Sequence, residues 1–427
     1  MGKVNIIGAG LAGVEAAHYL ANKGHEVNLF EKRPQSMTPA HQSGLFAELV
    51  CSNSLKSNRL DNACGLLKEE MRIMNSLTME AASQTSVPSG NALSVDRDLF
   101  ADYITKKILQ NQHILVHHDD VSQINDELTI LASGPLTSDS LVEELNRIIG
   151  AQALSFYDAS APIVSKDSIN FSIAYYKSRY EQDDASYINC PMDKATYYRF
   201  VEELSNAKTV QLRDFETGYF EGCLPVEVLA KRGVDTLRYG PMKPKGLAQD
   251  RSNPPYAVIQ LRQDNLIGSL YNIVGFQTNL TYGEQERIFR MIPGLEQAEF
   301  VRYGLMHRNT FVNSPRALDE HLRLRKKNNV IVAGQLSGVE GYVESAASGI
   351  IAGIIAHELL IGKQPSLPPR TSMIGSLLRY ITQANPESFT PMNANFGILE
   401  NANKRHREQD AEKALNAIRE YWRNVNE

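Results

Sequence analysis

The chain has 427 residues, 42% of them apolar and 22% charged. That is the profile of a globular protein with a sizeable core, not of a disordered or fibrous one. With 44 lysines and arginines against 49 aspartates and glutamates, the net charge is −5, which argues against a globally basic nucleic-acid binder while leaving room for a local basic patch. Cys51, Cys64, Cys190 and Cys223 form neither a CxxC pair nor a metal-ligand pattern, so no metal is expected and a cytoplasmic setting with reduced thiols is. The opening MGKVNIIGAG lacks a signal-peptide layout, and the longest apolar stretch, SGIIAGIIAHELL, reads as too short and too rich in small residues to span a bilayer.

Residues 3–8, KVNIIG, read as a buried strand, followed by a helix over GLAGVEAAHYLANKG that stops at Gly24. EVNLFEKR then reads as a second strand ending at Glu31, 23 residues after Gly8. This βαβ unit carries G-x-G-x-x-G within the run Gly8, Ala9, Gly10, Leu11, Ala12 and Gly13. Gly8 permits the tight turn, Gly10 lets backbone approach a pyrophosphate, and Gly13 lets helix and strand pack closely. The helix N-terminus offers N–H groups to phosphate, and Glu31 is suited to ribose hydroxyls, so a bound dinucleotide is expected.

Further along, ELTILASGPL (127–136) reads as a strand ending in a turn, and DKATYYRFVEELSNA as a helix capped by Asp193. YAVIQLRQ (256–263) and LYNIVGFQT (270–278) alternate as half-buried strands do. Residues 328–359 read as a strand, a glycine-rich turn containing Gly334, Glu340, Gly341 and Tyr342, and a small-residue helix. In the last sixty residues, Leu415, Ile418 and Trp422 share one helical face. The segments at 127–136 and 328–359 resemble the nucleotide fold of two-dinucleotide-domain flavoproteins, which points to FAD. The expected fold class is α/β: a Rossmann-like FAD-binding domain of that type with an inserted α+β domain. Its first part is expected over residues 1–160, the insert over 161–320, and its second part, with C-terminal helices, over 321–427.

Longer stretches carry a closer resemblance. FAELVCSNSLKSN (46–58), GLLKEEM (65–71), ALSVDRDLFADYI (92–104), the segment 222–247 beginning GCLPVEV, the segment 270–311 ending MHRNTF, and AGQLSGVEGYVESAASG (333–349) resemble the TrmFO family nearly end to end. These are folate- and FAD-dependent tRNA (uracil-5-)-methyltransferases, related to the larger GidA/MnmG flavoproteins. The resemblance implies that carbon passes from 5,10-methylenetetrahydrofolate by way of reduced FAD to C5 of a uridine, in the T-loop of tRNA, with NADPH or NADH as reductant. It also implies that the insert is the RNA and substrate domain.

The family match makes Cys223 the thiol that adds to uracil C6, and Cys51 a flavin-side cysteine that assists the flavin adduct or proton removal from C5. From Cys223 to Arg251 the local charge balance is +3, which favours a thiolate and suits RNA phosphate. Softer candidates are Asp96 and Arg97 as a cofactor-closing segment, with Arg97 on a phosphate or paired to Asp96. His307 and Arg308 are candidates for folate or RNA contact, and the basic run HLRLRKK (321–327) for an RNA-backbone contact. Cys64 and Cys190 read as structural. The alternatives are the same chemistry on a uridine of 23S rRNA, or an RNA-binding NAD(P)H-oxidising flavoprotein without methyl transfer. No membrane partner is expected, and the oligomeric state does not follow from the sequence.

Overall fold

A computed structural model describes residues 1–150, 154–179, 186–210, 224–250, 252–400 and 406–427. The apolar run at Lys3–Ile7 forms the centre of a six-stranded sheet. In spatial order its strands are Arg323–Leu324, Lys327–Val332, Thr129–Leu131, Lys3–Ile7, Glu26–Phe30 and Ile114–His117. All neighbours pair in parallel except the short Arg323–Leu324 edge. A parallel sheet has both faces covered, which is why these strands read as nearly continuous apolar runs. Helix Leu11–Asn22 follows the first strand, and helix Tyr342–Leu360 lies directly against it. A Cβ on Gly349 would come 2.2 Å from the Ala12 carbonyl oxygen, so only glycine permits this approach.

Helix Tyr342–Leu360 has 19 residues and is long and apolar enough to cross a membrane by composition. That corrects the expectation of a stretch too short to do so. It is instead a core helix, with 78% of its most apolar window buried. The C-terminal helix Arg407–Asn426 buries Leu415 and Ile418, and Trp422 lies 5.9 Å from the Tyr19 ring.

A second, antiparallel sheet of six strands runs in the order Tyr175–Tyr176, Tyr187–Met192, Ala257–Gln263, Leu270–Ile273, Ile163–Ser165 and Phe300–Arg302. It has a hydrophobic cluster of its own. Helix Lys194–Asn206 covers one face and is capped by Asp193, whose carboxylate accepts from Thr196 N–H at 2.7 Å. Two expectations change here. Ala257–Gln263 is buried along nearly its whole length rather than on one face, because Arg262 and Gln260 face inward. The strand at 270 ends at Ile273, where Gly275 turns the chain at φ 76°. A two-stranded ribbon, Leu154–Ala159 with Met306–Phe311, runs between the two sheets in sequence.

The basic run at 321–327 is mostly an edge hairpin. Leu322 and Leu324 are fully buried, Arg323 pairs with Asp319, and Lys327 pairs with Asp126. Alternate apolar positions anchor the run to the core, so only part of it faces solvent.

Candidate active site

The glycine turn has the geometry its spacing calls for. Gly8 has φ 103°, and a Cβ there would meet the Ala132 carbonyl at 2.4 Å. A Cβ on Gly13 would come 1.8 Å from the Gly8 oxygen, whereas Gly10 faces open space. Helix Leu11–Asn22 therefore starts with no side chain capping it, and its first N–H groups remain available to an anion. A second helix start is built alike: Gly341 (φ 115°) begins helix Tyr342–Leu360, again without a side-chain cap.

Glu31 is more occupied than its motif suggests. Its carboxylate accepts from Ala9 N–H at 3.0 Å, from Arg33 N–H at 3.1 Å, and from the Arg33 guanidinium at 2.9 and 3.2 Å. Those four bonds fill its acceptor sites, so a ribose hydroxyl has to displace one of them. Burial alone would raise the Glu31 pKa, but the Arg33 hydrogen bonds and charge outweigh it and hold the carboxyl below its ordinary value.

Between the two helix starts lies the loop carrying Cys51. Ala47, at φ 51°, donates its N–H to the Ala9 carbonyl and docks this loop on the glycine turn. The Tyr342 hydroxyl accepts from Cys51 N–H at 2.7 Å and from Ser52 N–H at 3.2 Å. The Cys51 thiol, half-buried, donates to the Ala159 carbonyl at 3.5 Å. Burial first, then the neighbouring Cys51, pushes the Tyr342 phenol up, so it stays protonated.

Three guanidiniums surround this loop. Arg97 donates to Leu49 O at 3.0 Å, Arg302 to Val50 O at 3.2 Å, and Arg262 to Ser52 Oγ at 2.7 Å and Asn53 Oδ1 at 3.0 Å. Arg97 also pairs with Asp264, which directly follows strand Ala257–Gln263, at 2.9 Å, and Asp96 caps helix Arg97–Leu109 while accepting from Leu266 N–H. This corrects the expectation of an Arg97–Asp96 pair: the guanidinium bonds to Asp264 and to the Leu49 carbonyl. Burial pulls Arg262 and Arg302 below the ordinary arginine value. Arg97 ends above it, because Asp264 outweighs the burial.

Cys223 lies outside the described residues, as do the side chains of His307 and Arg308. Cys64 and Cys190 are packed in the two cores, and burial, foremost, pushes their thiols up to about 11 and about 12. Glu340 accepts from Gln335 Nε2 at 2.6 Å, and Gly334 sits beside Ala12. The turn before the long helix is thereby tied to the first helix.

A family model described as glucose inhibited division protein A matches residues 3–364. Among curated proteins, methylenetetrahydrofolate–tRNA-(uracil-5-)-methyltransferase TrmFO of Listeria innocua is 51% identical over 97% of this chain and 98% of that protein. The enzymes of the same name from Bacillus licheniformis and Ligilactobacillus salivarius are 52% identical over 97% and 49% over 99% of this chain, and 98% and 99% of their own lengths are covered. The chain belongs to the TrmFO family, within the GidA group. Aquifex aeolicus GidA has the same fold, with a TM-score of 0.74 at 18% identity, over 99% of this chain and 76% of that one. For this TrmFO-family chain, the residues that sequence reading missed are Arg262, Arg302 and Asp264. The one signal, at Arg262, was a charge within a strand, which a half-buried reading assigns to solvent.

Proposed function

We propose that the chain methylates C5 of a uridine in RNA, in the tRNA T-loop, taking carbon from 5,10-methylenetetrahydrofolate and electrons from NADPH or NADH in a cytoplasmic setting. The observation that most supports this is the setting of Cys51. A thiol rides on a loop docked to the glycine turn, held by the start of the long helix and flanked by the guanidiniums of helix residue Arg97 and of Arg262 and Arg302 on the second sheet.

FAD fits the residues present, because Gly10 faces open space and both helix starts are uncapped. Gly8, Ala9, Gly10, Leu11, Ala12 and Gly13 would hold its pyrophosphate and Glu31 its ribose, with Gly334, Glu340, Gly341 and Tyr342 at the flavin end. When bound, it supplies a reducible ring that carries carbon and electrons.

C5 of uracil is a poor nucleophile. We assign to Cys223 the thiolate addition at C6, which moves electron density onto C5 so that C5 can attack the donated carbon. Cys51 is assigned the flavin side, where a thiolate can accept the C5 proton as the donated carbon's bond to its carrier breaks; hydride then adds to the resulting exocyclic methylene, the C6–S bond breaks and the pyrimidine double bond returns. Two electrons from the nicotinamide nucleotide bring the carbon to methyl.

The test supplies labelled methylenetetrahydrofolate and NADPH or NADH with separate tRNA and 23S rRNA transcripts. Label in 5-methyluridine of tRNA is the expected result. Label arriving from S-adenosylmethionine, or flavin-dependent NADPH oxidation with no 5-methyluridine, overturns the proposal.

A further inference from the structure

A cleft of about 340 Å³ opens on the second sheet, lined by Val210, Thr278–Tyr282 and Gly304–Met306. That volume lies in the range of about 300–1,000 Å³ usual for small-ligand pockets. Both walls connect to segments already described. Ser160 bonds to Leu305 and to Thr278 through backbone groups, and its neighbour Ala159 accepts the Cys51 thiol hydrogen bond at 3.5 Å. On the other wall, Glu227 accepts from Asn279 N–H at 2.8 Å and from the Thr278 hydroxyl at 2.9 Å. Glu227 is four residues past Cys223 in the sequence.

Two side chains give the cleft its chemistry. Asn279 is 4% exposed, and its Oδ1 is buried with no hydrogen-bond partner among the described residues. Its orientation is set chemically: Nδ2 donates to the Val210 carbonyl at 3.0 Å, an oxygen that can only accept, so the other position must be the acceptor. A buried acceptor left unpaired is costly until a donor reaches it. Tyr282, 55% exposed, stacks on Tyr303 with centroids 4.8 Å apart, and Tyr303 stacks on Phe300 at 5.7 Å. The end of that three-ring stack presents an aromatic face at the cleft, and aromatic faces bind planar heterocycles.

We propose that this cleft binds a planar lactam heterocycle, whose ring N–H donates to Asn279 Oδ1 while its face stacks on Tyr282. Two molecules bring that chemistry: uracil through N3–H beside O4, and the pyrimidinone ring of a reduced folate. Cytosine in the same pose would set the lone pair of its unprotonated N3 against the asparagine oxygen, so it is disfavoured relative to uracil. The proposal rests on the methyltransferase reading given above.

The test measures binding by the FAD-loaded full chain, with no turnover required. The probes are an RNA stem-loop with one loop uridine, the same RNA carrying 3-methyluridine or cytidine there, and 5-formyltetrahydrofolate. If uracil is the occupant, the wild-type chain binds the uridine loop at least tenfold tighter than the 3-methyluridine and cytidine loops, and Asn279→Leu reduces that ratio to within twofold. If the folate is the occupant, the three RNAs bind alike and Asn279→Leu weakens 5-formyltetrahydrofolate tenfold. In either case Tyr282→Ala, at an exposed position, weakens the same probe several-fold. Equal binding of the three RNAs by the wild type, together with folate affinity unchanged in both variants, overturns the proposal. A chain that binds in this Asn279-dependent way yet makes no 5-methyluridine refutes the methyltransferase reading alone. One that methylates while indifferent to both substitutions refutes only the cleft.

Discussion

At the parallel sheet the site is made of backbone. Gly8, Gly10 and Gly13 shape an open turn, two helices start uncapped beside it, and the residues responsible lie a few positions apart. At the antiparallel sheet the site is made of side chains that reach from that sheet to the Cys51 loop and the start of helix Arg97–Leu109. Arg262 reaches Ser52 over 210 positions, and Asp264 reaches Arg97 over 167. The first region can receive an anion with no neighbour in place. The second exists only when both sheets are folded and docked, so it couples the position of Cys51 to the seating of the second sheet on the first.

Substitutions separate the two regions. The largest effect is expected from Cys51→Ala, which should lower 5-methyluridine formation by about 10²–10⁴-fold, the usual range for loss of a proton-transferring group. Bound flavin, read from its visible absorbance, should stay at the wild-type level. If the rate is unchanged, the loop is only structural.

Arg97→Leu should come next. It leaves Asp264 buried and unpaired, at a cost of roughly 3–5 kcal/mol, measured by urea unfolding. Removing both charges in Arg97→Leu/Asp264→Leu should restore much of that stability while activity stays low, because Leu49 has lost its donor. Stability that does not recover would mean the pair is not what joins the sheets here.

Gly13→Ala strikes the backbone region. Its Cβ meets the Gly8 oxygen, and crowding of this kind costs roughly 1–3 kcal/mol. Flavin content should fall with little change in the second sheet, as followed by hydrogen exchange.

The pH dependence of Glu31 gives a smaller signal. Its pKa is held below the ordinary carboxylate value, so its ion pair with Arg33 contributes stability above that value and loses it as pH falls through the lowered one. The stability gap between wild type and Glu31→Gln should therefore be full near neutrality and close in acid, as read from melting temperatures across a pH series. The smallest effect belongs to Asp193→Ala, which removes a helix cap for about 1 kcal/mol and leaves flavin content and methylation unchanged.

Legibility followed the same division. The glycine turn, the helix after it, the strand ending at Glu31 and the Asp193 cap were all readable, since each is a rule about neighbours in sequence. The thiol at Cys51 was found through its family motif, but nothing in ELVCSNS announced the arginines around it. Arg97 was noticed, but of its two candidate partners the adjacent Asp96 proved not to be one, and Asp264, just past a strand of the second sheet, was not considered. Glu31 was read for a ribose without its Arg33 partner, two residues on. HLRLRKK looked like a basic surface until alternate side chains proved to be core.

By itself, then, the amino-acid order determined where the backbone must bend, which helices could begin beside an anion and which motifs mark this chain. Steric limits on φ and ψ, and capping, act within a few residues. The guanidiniums around Cys51, the filled acceptor sites of Glu31 and the Asn279 oxygen left without a partner among the described residues were decided by the tertiary structure. Whether a charge or an amide is buried, and against what, depends on distant segments that meet only when the two sheets close on each other.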